Sequence, residues 1–173
     1  MNNIFSILFI FFSSVGFSWG DSGLWAPEVS PLPVTIEKII AKENEVDLKD
    51  INQFPNGTLK WEGGYISAVV FDGSTKNCAI YVSNGLSLSL LFSGTPCEFS
   101  GSPKVDTLRK ASMPDVLYKV KLFLPSRGTM VDEVLAFYFD EERKTYCESQ
   151  LLGDWYETGN RSIEPNVSDG KCE

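Results

Sequence analysis

Two kinds of side chain in this sequence are placed to do chemistry, carboxylates and cysteines. Its 173 residues include 23 Asp and Glu, four Cys and no His. Without histidine there is no Ser-His-Asp or Cys-His nucleophile, no His-based zinc site and no usual general base near neutral pH. Gly-x-Ser-x-Gly occurs once, at Gly16 to Gly20 inside the apolar leader, Ser-x-x-Lys once, at Ser168 to Lys171 in the polar tail, and no Gly-rich phosphate loop is present, so acyl and phosphoryl transfer are poorly supported.

Paired carboxylates are the remaining catalytic option, because glycoside hydrolysis asks only for two acids about 5–10 Å apart. Asp132 with Glu133, or Glu148 opposite Leu135, are the candidate positions, and no motif distinguishes them from surface charge. Asp140, Glu141 and Glu142 offer oxygens to calcium without EF-hand spacing. No cofactor and no metal is expected. A different chemistry is suggested by Asp154-Trp155-Tyr156-Glu157, where two large aromatics lie between two acids in an expected loop. That composition is enriched at binding interfaces, although aromatics of this kind also cap sheets.

The cysteines are Cys78, Cys97, Cys147 and Cys172. An even count in an exported chain favours two disulfides, with three connectivities open. Nested pairing, Cys78 with Cys97 and Cys147 with Cys172, closes the shortest loops and is the expected one. Each bridge would stabilise by about 3 kcal/mol in the chain-entropy treatment. Zinc would call for a Cys-x2-Cys pair, and there is none.

Export is read from residues 1–20, an apolar run followed by small residues, which fits a signal peptide cleaved before Asp21. Its apolar core, Ile4 to Val15, is short for a bilayer, and no second long apolar run follows, so no membrane insertion is expected after cleavage. The leader's first residues carry no Lys or Arg, which leaves periplasmic export and eukaryotic secretion both open. Asn56, Asn160 and Asn166 begin N-glycosylation acceptor patterns that matter only in a eukaryotic source. The net charge of −8 disfavours nucleic acid and anionic lipid and steers a basic protein toward the surface.

These residues must be positioned by strands. Residues 64–92 read as a three-strand meander holding Cys78, with apolar runs separated by Gly, Asp, Asn and Ser. For its second hairpin, a loop at Ser83-Asn84-Gly85 pairs Val82 with Leu86, Ile80 with Leu88 and Cys78 with Leu90. That register gives one apolar face and places Cys78 inside. Val116 to Leu124 alternates cleanly around Lys119 and Lys121, Val131 to Phe139 returns, and Lys144 to Leu152 follows an acidic hairpin loop. In that last hairpin Phe137 is expected to pair with Cys147.

Elsewhere, Asp21 to Pro33 is expected as an extended arm pinned by Trp25, and a short helix from Thr35. Pro55-Asn56-Gly57 should turn before a strand at Thr58 to Glu62, and a second helix is expected at Lys104 to Ser112. Residues 153–173 read as a polar tail, too poor in apolar side chains for a core and tied back by Cys172. The whole is a mainly β chain: one antiparallel domain over residues 21–173, a sandwich or curved sheet of about six to eight strands, with one or two short helices and two disulfides. Elimination then favours a non-catalytic exported binding protein, an acidic inhibitor or immunity-type factor acting on a basic protein. A carboxylate-dyad glycoside hydrolase and an apolar small-ligand binder are the alternatives.

Overall fold

The computed structural model describes residues 26–72, 77–85, 87–109, 111–159, 162–163 and 165–172. The expected leader, Trp25 and the Asn160 acceptor position lie outside them. The apolar runs form two antiparallel sheets. In the first, β1 (Glu28–Val29), β2 (Ile51–Trp61), β3 (Gly64–Phe71), β4 (Asn77–Asn84) and β5 (Ser87–Gly94) pair in that order. The second has the order β10-β9-β8-β6, with β7 also on β8; these are β6 (Cys97–Phe99), β7 (Lys104–Asp106), β8 (Asp115–Leu124), β9 (Thr129–Asp140) and β10 (Thr145–Glu148). The mainly β antiparallel class is therefore as expected.

Strand alternation divides each sheet into two working faces. Ile66, Ala68, Cys78, Ile80 and Val82 of the first sheet meet Val116, Tyr118, Val120, Leu135, Phe137 and Phe139 of the second in one core. The rings of Trp61, Phe139 and Tyr146 stack edge to face within it. Tyr118 and Tyr146 enter because their hydroxyls donate to the Gly57 and Pro114 carbonyls, at 2.8 and 2.9 Å.

Both outer faces are covered as well. Helix α1 (Val34–Glu43) lays Ile36, Ile40 and Ala41 on Val69, Ala79 and Tyr81. Burial on both faces explains why β3 and β4 read as nearly continuous apolar runs. Helix α2 (Gln150–Thr158) lays Leu152 on Leu117 and Ala136 of the second sheet. Cys78–Cys97 joins β4 to β6, and so one sheet to the other, while Cys147–Cys172 ties the tail to β10. Both pairings are the nested ones expected.

Several local expectations are corrected. Pro55-Asn56-Gly57 does not end a strand but is a bulge inside β2: the register slips between Gln53 and Thr58, and Asn56 takes a φ of 56°. In the meander Asn84 pairs with Ser87, Ser83 with Leu88 and Tyr81 with Leu90. A bulge then restores the inward face, so that Ile80 meets Phe92 and Cys78 meets Gly94; Cys78 is inside as expected, by a different register. Lys104–Asp106 is a strand rather than the start of a helix, with Val105 opposite Val116 and the Asp106 carboxylate accepting from the Leu108 amide.

In the last hairpin Cys147 pairs with Tyr138, and Glu148 with Phe137 rather than Leu135. The shift sends Tyr146 into the core and turns Cys147 toward the tail, where Cys172 waits. The strand expected to reach Leu152 stops at Glu148. Ser149 caps α2 by accepting the Leu152 amide at 3.1 Å, and Gly159 ends it with a φ of 64°. The expected loop at 153–157 is thus helical, and the tail has a packed element of its own.

Candidate functional site

Helix α2 presents the four residues singled out for binding, and two of them, Tyr156 and Glu157, are hydrogen-bonded to the sheet beneath it. Gly153 allows the close approach, since a Cβ there would stand 2.4 Å from the Val134 carbonyl oxygen. Asp154 is exposed. Trp155 is half-buried, donates from Nε1 to the Ile163 carbonyl at 2.7 Å, and meets the Tyr156 ring at a centroid distance of 4.9 Å. The Glu157 carboxylate accepts the Val134 amide of β9 at 2.7 Å.

Tyr156 reaches beneath the helix to a buried charge cluster. Its hydroxyl lies 2.9 Å from Asp115 and 3.2 Å from Asp106. Asp115 is 1% exposed, and Arg109 Nε bonds both of its oxygens at 2.9 and 3.1 Å. The Arg109 Nη2 group stands 2.8 Å from the same carboxylate as an ion-pair contact without hydrogen-bond alignment. Burial raises the Asp115 carboxyl above its ordinary value despite the opposing pull of Arg109. Burial raises the Tyr156 hydroxyl too, with Asp115 adding to it, so the phenol stays protonated as a donor.

A cavity lies on each side of this helix. On one side, about 370 Å³ is lined by Glu133, Glu148, Asp154, Glu157 and Asp169, with Lys171 the one cation among its lining residues and Phe92 reaching in from β5. On the other, about 740 Å³ lies over Leu117, Lys119 and Tyr156, with Lys104 and Asp106 along it. Glu157 borders both. The structure therefore gathers Asp154 and Glu157 at the first cavity and Tyr156 and Glu157 at the second, while Trp155 packs beside them.

Two acids of the first cavity are tuned in opposite directions. Burial lifts the Glu148 carboxyl, which Lys171 partly offsets. Burial pushes Asp169 up as well, but hydrogen bonds from Ser149 Oγ at 2.6 Å and the Leu151 amide at 3.1 Å outweigh it and hold that carboxyl below its ordinary value. Asp169 thus joins Ser149 in capping α2, where a negative charge complements the helix end. Asp132 is exposed and borders neither cavity, so the adjacent pair Asp132 and Glu133 is not brought together at a site.

The acidic hairpin serves itself. Asp140 accepts the Glu142 and Arg143 amides, and Glu141 pairs with Lys144 at 3.0 Å. Asp140 also lies near Cys147 and Cys172, whose sulfurs are joined to each other and are not thiolate ligands.

Sequence reasoning passed over Arg109, Asp115, Asp169 and Phe92. A signal for α2 was present: Ser149 as cap, Leu152, Trp155 and Tyr156 at helical spacing, and Gly159 as stop. Compared with protein families, curated proteins and solved structures, the chain matches none. Two disulfides fit an oxidising environment, and among the described residues no helix is long and apolar enough to cross a membrane.

Proposed function

We propose that this chain is a non-catalytic exported protein, periplasmic or extracellular, that binds a positively charged protein as an inhibitor or immunity-type factor. The observation that carries the reading is the cavity beside α2, lined by five carboxylates and one lysine, with the half-buried Trp155 on the same helix outside its lining. Such a surface accepts a lysine or arginine side chain, and a net charge of −8 speeds its arrival.

Affinity capture from the native compartment identifies the partner, and binding kinetics then test the site. Association should slow steeply with added salt while dissociation changes little. Trp155→Ala should weaken binding by more than about 1 kcal/mol, and charge reversal at Asp154 should act mainly on the on-rate. A partner indifferent to both salt and Trp155→Ala rejects the site.

The opposite tuning of Glu148 and Asp169 in one cavity favours a second reading, a carboxylate-dyad glycoside hydrolase. Hydrolysis of a glycan by the purified protein, abolished by Glu148→Gln, would establish it in place of the first.

A further inference from the structure

Sheet edges are places where a folded chain still has backbone donors and acceptors to offer, and most edges here are short or covered. β1, β6 and β7 span only two or three residues each. β10 is bridged on its outer side by Lys171, whose amide and carbonyl pair with Glu148. The stretch of β9 beyond β10 is crossed by α2: Ser149 donates to the Ala136 carbonyl, Glu157 accepts the Val134 amide, and Gly153 presses on the Val134 oxygen.

β5 differs. It is the last strand of its sheet and spans eight residues, SLSLLFSG, with no charge and no proline. Among the described residues no backbone hydrogen bond from another element reaches its outer side. The usual protection of an edge by lysine or proline is missing; only the bulge near Leu91 kinks it. Leu90 stands 48% exposed on it. At its far end Phe92 forms part of the wall of the cavity lined by Glu133, Glu148 and Asp154.

The geometry points to β5 as a docking strand that takes an extended segment of a positively charged protein by strand addition, with a basic side chain entering the acidic cavity at Phe92. Backbone pairing supplies affinity in that mode, and side-chain pockets supply specificity. Charge complementarity chooses the occupant: a second copy of this chain would bring another −8 to the same place, whereas a basic segment neutralises the cavity. The inference rests on the reading of a positively charged partner and adds where and how that partner is held.

An alternating Val-Lys octapeptide serves as probe against the oxidised chain, with affinity and residue-resolved hydrogen exchange as readouts. The expected result is binding that protects amides within Ser87–Gly94. A probe of equal charge, N-methylated at alternate residues, should bind at least about tenfold more weakly, because it cannot complete a ladder. Paired Glu133→Gln and Asp154→Asn should weaken both probes. Equal binding of the N-methylated probe, or protection confined to α2, overturns strand addition and leaves the charged-partner reading standing. No binding, or equal binding of a Val-Glu octapeptide, overturns both. Dimers whose β5 protection rises with protein concentration would assign the edge to a second copy and overturn the proposal.

Discussion

Helices α1 and α2 cover opposite outer faces of the same sandwich, and they are held there by different means. Under α1 the buried contact is apolar throughout, Ile36 and Ile40 on Val69 and Ala79, and its hydrogen bonds, such as Asn44 to the Tyr81 hydroxyl at 2.7 Å, lie at the rim. Under α2 the fully buried apolar contact shrinks to Leu117, Ala136 and Leu152. Around it, half-buried Val134, Tyr138, Trp155 and Val167 are joined by directional polar contacts: Arg109 with Asp115, the Tyr156 hydroxyl with Asp115 and Asp106, and Asp169 on the helix end. Apolar contact tolerates change in proportion to the volume removed, whereas a buried polar contact fails when either partner is lost. The helix beside the acidic cavity is thus the more exactingly placed of the two.

The sharpest way to break this contrast is Arg109→Met, which leaves Asp115 buried without its cation. It should cost about 3–5 kcal/mol, measured by urea unfolding. Ile40→Ala, on the α1 side, removes a fully buried side chain and should cost about 3 kcal/mol, with the loss unchanged across pH because no titrating group is involved. If Ile40→Ala proves the costlier by a clear margin, apolar packing dominates both layers and the contrast fails.

Asp169→Asn should cost about 1 kcal/mol at neutral pH, the usual scale of a helix cap. The sign of its pH dependence follows from a carboxyl held below its ordinary value of 3.8: its contribution is present above that value and is lost as pH falls through the lower folded value. Wild type and variant should therefore converge in strong acid. Glu148 has the opposite sign. Its raised carboxyl favours the folded state when protonated, and that advantage is lost as pH climbs from 4.5. Glu148→Gln should accordingly make the protein slightly more stable at neutral pH, the smallest of these effects.

The fold class, the meander, the β8–β9 hairpin and both disulfides were legible in the sequence because each rests on local signals: period-two alternation, turn residues and short cysteine spacing. The corrections share a cause. Bulges in β2 and β5 let the inward face recover after an apparent clash of pattern, so a register chosen for strict alternation at Ser83-Asn84-Gly85 missed. At Lys104–Ser112 helical spacing of Val105 and Leu108 lost to pairing with β8, a tertiary contact that spacing cannot register. Asp154 and Glu157 were found because aromatic and acidic residues adjoin in sequence. Glu133, Asp169 and Phe92 reach the same cavity from distant strands and the tail, and nothing local announces that meeting.

The two disulfides differ in reach. Cys78 and Cys97 are 1% and 2% exposed, whereas Cys172 is only half-buried and borders a small surface cavity with Arg143 and Thr145. Thiol–disulfide exchange needs a thiolate to reach a sulfur, so a mild reductant added to the folded protein meets the tail bridge first. Its product is a partly reduced form in which the Cys78–Cys97 bridge still joins the sheets while the segment carrying Asp169 and Lys171 is held, without its own bridge, by its hydrogen bonds to Glu148, Ser149 and Leu151. One wall of the acidic cavity and one cap of α2 would then lose their covalent anchor, without the sandwich coming apart.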